Sequence, residues 1–259
     1  MPHADLADVR INYRIDGPAD APWLTLSNSL GADLDMWSPQ VPALIERFRV
    51  LRYDTRGHGA TTAAPLPFSI AALAADVVAL LDHVGVARTH FCGLSMGGMI
   101  GIRLALAHAG RIDRLVLANT GAKIGDIEAW NARISAVRTA GLATIADTIL
   151  ERWFTRGFRD AHPHELVRLR EVMVKSSPDG YCACCGAIRD YDARPEIAAI
   201  STPTLVIAGT HDRSAPPADA HFLHLHIAGS SYTELDAAHV SNIEKPDDFL
   251  AALVPFLEA

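Results

Sequence analysis

Residues 91–99 read Phe91-Cys92-Gly93-Leu94-Ser95-Met96-Gly97-Gly98-Met99. A strand-like run, Arg88 to Leu94, leads into Ser95, and a helix-like run, Met99 to Ala107, follows it. The pattern is Gly-x-Ser-x-Gly at a strand-to-helix turn. A serine in such a turn is held in a strained backbone conformation, and the flanking glycines leave room for it. Its Oγ is lifted out of the sheet, where a base can reach it. A glycine-rich linker with a solvated serine produces the same letters. Strand and helix on either side, with acid and base candidates further along, favour an acyl-transfer nucleophile.

Outward from this turn, strand and helix signals alternate. Val9 to Ile15 alternates apolar and polar residues, and Trp23 to Leu26 is a short apolar run ending at Ser27-Asn28-Ser29. Phe48 to Tyr53 reads as a strand that ends in Asp54-Thr55-Arg56-Gly57-His58-Gly59. Ser69 suits a helix N-cap, with Ile70, Leu73, Val77, Leu80, Leu81 and Val84 at helical spacing and Gly85 as the stop. Arg114 to Ala118 is continuously apolar at Leu115-Val116-Leu117, as in a parallel strand covered on both faces. From residue 122 to 195 only helical segments are expected: Glu128 to Ala140, Leu142 to Thr155, His164 to Lys175 and Gly180 to Arg189. Alternation resumes with strand Thr204 to Ala208, helix Pro216 to Leu225, strand Ser231 to Leu235 and helix Pro246 to Leu257. The expected fold is α/β, a mostly parallel sheet covered by helices on both faces. Residues 1–121 and 196–259 form its core, and 122–195 a helical cap over the carboxyl ends of the strands, where open α/β sheets bind ligands.

Bulk properties narrow the class. A chain of 259 residues suffices for one large α/β domain with an insertion, and 49% hydrophobic with 20% charged residues is ordinary globular composition. A net charge of −7 argues against nucleic acid and anionic membranes as partners. No apolar stretch is long enough to span a bilayer. Met1-Pro2-His3-Ala4-Asp5 lacks the basic and apolar regions of a signal peptide. The cysteines are Cys92, Cys182, Cys184 and Cys185, and crowding three of them together suits no disulfide framework. A reducing, cytoplasmic setting is expected. No metal site is expected either. The cysteine cluster has no second pair to complete a zinc site, and His221, His224 and His226 lack the spacing of a helical ligand pair.

A serine hydroxyl needs a base, and the base needs a group to fix its tautomer. On this kind of sheet the order is Ser, then Asp or Glu, then His. Asp212 follows the strand ending at Ala208, and His239 follows the strand ending at Leu235, so they are the acid and base chosen. Asp236 is the rival acid, too near His239 in the chain to act from the neighbouring strand end. His58 is the rival base, but it precedes the nucleophile in a glycine turn. His211, beside Asp212, is read as a shield for it. An oxyanion hole needs two backbone N–H groups. Met96, after the nucleophile, supplies one. Leu30, counted back from Trp37 as the opening of the next helix, supplies the other.

Together, Asp54-x-Arg56-Gly57-His58-Gly59, Gly93-x-Ser95-x-Gly97, Gly209-x-x-Asp212 and Ala238-His239 resemble the α/β-hydrolase fold. Many relatives carry His-Gly in the oxyanion loop, whereas this chain reads Ser27-Asn28-Ser29-Leu30-Gly31. Trp130-Asn131-Ala132-Arg133-Ile134, Glu151-Arg152-Trp153-Phe154, the stretch Gly180 to Asp190 and His239-Val240-Ser241-Asn242-Ile243-Glu244 resemble the 3-oxoadipate enol-lactonases of the β-ketoadipate pathway. That resemblance implies an anionic enol-lactone with a carboxymethyl arm as substrate and no metal or organic cofactor. It also implies a cation for the arm, with Arg133 the first candidate and Arg189 the second, and Trp130 and Trp153 lining the pocket. Carbon–carbon hydrolases of aromatic meta-cleavage, carboxylesterases, perhydrolases and non-catalytic ligand receptors share the core and remain alternatives.

Overall fold

The structure, a computed structural model, describes residues 2–63 and 66–259; Met1, Ala64 and Pro65 lie outside it. In chain order the elements are β1 (His3–Asp5), β2 (Arg10–Asp16), β3 (Trp23–Ser27), α1 (Val41–Leu44), β4 (Arg49–Tyr53), α2 (Ile70–His83), β5 (Thr89–Leu94), α3 (Met96–Ala107) and β6 (Ile112–Ala118). Then come α4 (Ile127–Ala140), α5 (Ala143–Trp153), α6 (Arg156–Ala161), α7 (Pro163–Lys175) and α8 (Pro178–Asp190). The chain closes with β7 (Thr204–Gly209), α9 (Pro217–His226), β8 (Ser231–Leu235), α10 (Ser241–Glu244) and α11 (Pro246–Glu258).

The strands form one eight-stranded sheet in the order β1-β2-β4-β3-β5-β6-β7-β8. β1 and β2 pair antiparallel with their neighbours, and β4, β3, β5, β6, β7 and β8 run parallel. The parallel strands bury Leu24, Leu26, Val50, Phe91, Leu115, Val116, Leu117, Val206 and Ile207 almost completely, because helices cover both faces. Order in the sheet decides where the site lies. The chain leaves β3 toward β4 on one side and returns to β5 on the other, so a crevice opens between the carboxyl ends of β3 and β5. The loops after β3, β5, β7 and β8 all emerge on that edge.

Local chemistry sets the helix ends. Ser69 Oγ accepts the Ala72 amide at 3.2 Å to start α2, and Gly85 follows its end at φ +74°. Two expectations need correction, and one strand was not expected. β1, only three residues long, carries no periodic signal. The single helix expected from Leu142 to Thr155 stops at Trp153, because Thr155 turns extended and caps α6, its Oγ1 accepting the Phe158 amide at 3.3 Å. Trp37 closes a short 3-10 turn, Leu34–Trp37, instead of opening a helix. That turn starts where Asp33 caps it, accepting the Asp35 amide at 3.1 Å.

Candidate active site

Ser95 sits between β5 and α3 with φ 58° and ψ −115°, the strained geometry expected for it. Hydrogen bonds from the neighbouring strands hold it there. The Ser95 amide donates to Ala118 O at 2.9 Å, and Thr120 Oγ1 donates to Ser95 O at 2.7 Å. The turn leaves no room for side chains at its glycines. A Cβ on Gly93 would lie 2.1 Å from Gly97 O, and one on Gly97 would lie 2.2 Å from Ser27 O.

Asp212 and His239 come together although 27 residues separate them. His239 Nδ1 lies 2.8 Å from Asp212 Oδ2, and both side chains are buried. Asp212 Oδ1 accepts the Ser214 amide at 2.7 Å and the Ala215 amide at 2.9 Å, while Oδ2 also accepts Asn119 Nδ2 at 3.1 Å. A carboxylate only accepts, so the His239 proton resides on Nδ1 and leaves Nε2 with its lone pair available. The rival acid is elsewhere: Asp236 is exposed and lies 2.9 Å from His211 Nε2. His211 is therefore a partner of Asp236 and not a shield for Asp212. His221, His224 and His226 turn to Glu234, Ser230 and the Phe222 carbonyl.

Two backbone amides near Ser95 are left unbonded between neighbours that are tied down. In the loop after β3, the Ser29 amide reaches Met36 Sδ at 3.4 Å and the Gly31 amide donates to His58 Nε2 at 2.8 Å. At the elbow, the Ser95 amide is bonded to Ala118 O, and the Gly97 amide donates to Asn28 O at 3.1 Å. Leu30 and Met96 lie between these pairs, and among the described residues their amides have no protein acceptor. Met96 is also the first residue of α3, where the helix dipole adds positive potential.

Ser95 and His239 open into a cavity roofed by α4, α5 and α8. Its walls include Ser29, Leu30, Ile124, Trp130, Arg133, Ile149, Arg152, Trp153, Tyr181 and Ile188. Arg133 is half-buried and stacks on Trp130, its guanidinium carbon 4.7 Å from the ring centroid. It faces the Tyr181 hydroxyl, whose ionisation burial suppresses. Arg152 stands exposed at the mouth. Neither guanidinium has a carboxylate partner among the described residues. The structure does not bring Arg189 here. Ile188 faces the cavity, and the next residue of a helix points about 100° away. Arg189 therefore lies on the outer surface, bonded to Asp190 at 2.7 Å and Asn131 at 2.7 Å.

Several residues that shape the site escaped the sequence reading. Asn119, in the left-handed region at φ 48°, donates to both Asp212 and the Ala238 carbonyl, and accepts Ser241 Oγ at 2.6 Å. Glu244 accepts the Ala238 amide at 2.8 Å and the Thr155 amide at 3.1 Å, so one carboxylate joins the His239 loop to the end of α5. The Val240 amide donates to Trp153 O at 3.1 Å beside it. Only the strand-end position of Asn119 hinted at a role. Arg152 was passed over beside the more conspicuous Trp153.

Comparison with known proteins places the fold in a family. A family model described as the α/β hydrolase fold matches residues 22–140. The chain is 44% identical over 242 residues to 3-oxoadipate enol-lactonase 2 of Acinetobacter baylyi, covering 93% of this chain and 91% of the relative. It is 36% identical to 3-oxoadipate enol-lactonase 1 of the same organism, covering 96% and 93%. The crystal structure of the enol-lactonase from Burkholderia xenovorans LB400 superposes with a TM-score of 0.98 at 49% identity, covering all of both chains.

Proposed function

The chain belongs to the α/β-hydrolase family and is a carboxylic-ester hydrolase, and we propose that its substrate is 3-oxoadipate enol-lactone. One observation carries this reading. The cavity that exposes Ser95 and His239 has apolar and aromatic walls, and Arg133 stands among them without an ion-pair partner among the described residues. A guanidinium keeps its charge when desolvated and binds a carboxylate through two parallel hydrogen bonds. That suits a small lactone with an acidic arm. The helical segment 122–195 acts as the lid that excludes water from the pair.

The geometry supports the following course of reaction. Arg133 holds the carboxymethyl group, with Trp130 and Trp153 flanking the ring. Ser95 Oγ attacks the lactone carbonyl carbon, and His239 Nε2 takes its proton while Asp212 stabilises the imidazolium. The Leu30 and Met96 amides receive the developing oxyanion. Collapse breaks the ring C–O bond. The enol oxygen takes the proton from His239, and the enol becomes a ketone. The former leaving group stays tethered to the acyl chain. Water then gives a proton to His239 and attacks the ester, and Ser95 leaves with that proton. The product is 3-oxoadipate, one water richer than the lactone. No step calls for a cofactor. The free, buried thiols of Cys92, Cys182, Cys184 and Cys185 support a reducing, cytoplasmic setting.

The test is turnover of purified protein on the carboxylated enol-lactone and on a neutral phenyl ester, for wild type and Ser95→Ala. The lactone should be preferred, and Ser95→Ala should lower kcat by about three orders of magnitude or more with folding intact. A tenth of wild-type activity in Ser95→Ala would remove the nucleophile. Preference for the neutral ester would remove the lactone.

A further inference from the structure

The turn after β4 carries a histidine that the chemistry above does not use. His58 is completely buried. Its Nδ1 lies 3.1 Å from the Arg56 carbonyl, which can only accept, so the ring proton is on Nδ1. Nε2 is then an acceptor, and it takes the Gly31 amide hydrogen at 2.8 Å. Gly31 directly follows Leu30. With the Ser29 amide held by Met36, the bond from His58 fixes the peptide on the other side of Leu30.

The turn is itself held by the lid. A Cβ on Gly57 would come within 2.5 Å of the Gly180 Cα, so the backbones of the turn and α8 meet with no side chain between them. The Ser177 amide donates to Gly57 O at 3.3 Å, and Cys184 Sγ to Arg56 O at 3.6 Å. The Tyr181 ring, which also lines the cavity, lies 6.3 Å from the His58 ring, centroid to centroid. A lid helix, a buried imidazole and the loop bearing the oxyanion donor thus form one continuous contact.

We propose that His58 is a positioning residue for acyl transfer: by accepting the Gly31 amide it holds the Leu30 N–H on the oxyanion, and α8 holds it in place to do so. The inference rests on the reading of Ser95 as nucleophile and Leu30 as donor, but not on the identity of the substrate.

Three variants separate positioning from packing. In His58→Gln the side-chain oxygen stands as many bonds from Cα as Nε2, so an acceptor for Gly31 remains. In His58→Asn the amide replaces Nδ1 and its reach stops short of Gly31. His58→Leu removes both polar contacts. Each is checked by circular dichroism, then assayed for kcat and KM on the enol-lactone and a phenyl ester, and for inactivation by a p-nitrophenyl phosphate triester. That reagent phosphorylates Ser95, and its P–O oxygen enters the same hole. His58→Gln should stay within about fivefold of wild-type kcat. His58→Asn and His58→Leu should lose about 100-fold, the scale for one oxyanion donor, with KM little changed and inactivation slowed in step. Equal losses in His58→Gln and His58→Asn, or losses confined to KM, would overturn the proposal. Should His58→Leu fail to fold, the Gln and Asn pair still decides it. If wild type ignores the lactone yet reacts with the triester, the substrate reading fails while the inactivation ratios still judge His58. If it reacts with nothing, Ser95 and this proposal fall together.

Discussion

On the cavity floor the Asp212 carboxylate accepts four hydrogen bonds, and the amides on both sides of Leu30 and of Met96 are bonded. On the lid wall Arg133 rests on an aromatic ring and Arg152 stands in solvent, both without ion pairs among the described residues. The two regions meet different demands. Dipoles stabilise transition-state charge best when they need no reorganisation, and on the proposed reading the bonded amides of Ser29, Gly31, Ser95 and Gly97 fix the two unbonded ones between them. Recognition of an anion in an acidic protein needs cations whose charge is not already neutralised. Floor variants should therefore impair turnover of every ester, and lid variants the affinity for one kind.

The largest expected effect is on the floor. Asp212→Asn should lower kcat by roughly three to four orders of magnitude on both the lactone and a neutral ester, since the wrong tautomer of His239 is favoured. Asp236→Asn, on the surface with His211, should change kcat by less than about twofold. Equal losses would erase the distinction between the buried and the exposed carboxylate.

Next comes a pH effect on stability. Burial lowers the protonation of His58 from the ordinary 6.5 to about 4. Its contribution is complete above pH 6.5 and is lost as pH falls through the window from 6.5 to 4. Asp33 and Asp219, whose carboxyls burial pushes up to about 6, act with the opposite sign. Comparison with His58→Gln cancels them. Between pH 7 and pH 4, denaturant titrations should show wild type losing about 3 kcal/mol relative to that variant. A constant difference would mean that folding leaves the protonation of His58 where it is in the unfolded chain, and a gain as pH falls would mean that the fold holds it charged.

The lid gives the smaller effects. Arg133→Met should weaken kcat/KM for the carboxylated lactone by about 2–3 kcal/mol and leave a neutral ester nearly unchanged. Arg152→Met, exposed at the mouth, should cost less than about 1 kcal/mol, and less still in added salt. Loss at Arg152 without loss at Arg133 would move the carboxylate anchor outward. Equal losses on both substrates would make Arg133 a prop for the lid.

What was legible in the chain followed from periodicity and from strand ends. Glycines around Ser95 announced the elbow, and the apolar runs at Leu115 and Thr204 announced strands covered on both faces. Asp212 and His239 were found because their loops follow strands in a known order. Asn119, Glu244 and His58 were not, because the bonds of Asn119 to Asp212, of Glu244 to Thr155 and of His58 to Gly31 join segments far apart in sequence. Arg189 misled for a related reason: proximity to lid residues in sequence says nothing of which side of a helix faces inward. Thr155 broke a helix that apolar spacing had drawn as continuous, since a capping hydroxyl outweighs a weak pattern.

The seam at Glu244 has a consequence for exchange between relatives. Trp153 and Thr155 at the end of α5 are bonded to Val240 and Glu244, next to His239, the proposed base, whereas α4 meets the floor across the open cavity. A graft that replaced the whole insert would cut the ties that seat His239. One that kept residues 153–155 and exchanged α4 would carry new recognition chemistry onto an undisturbed His239. Descendants of such a chain are free to diversify from the α4 side inward, and the seam marks where that freedom stops.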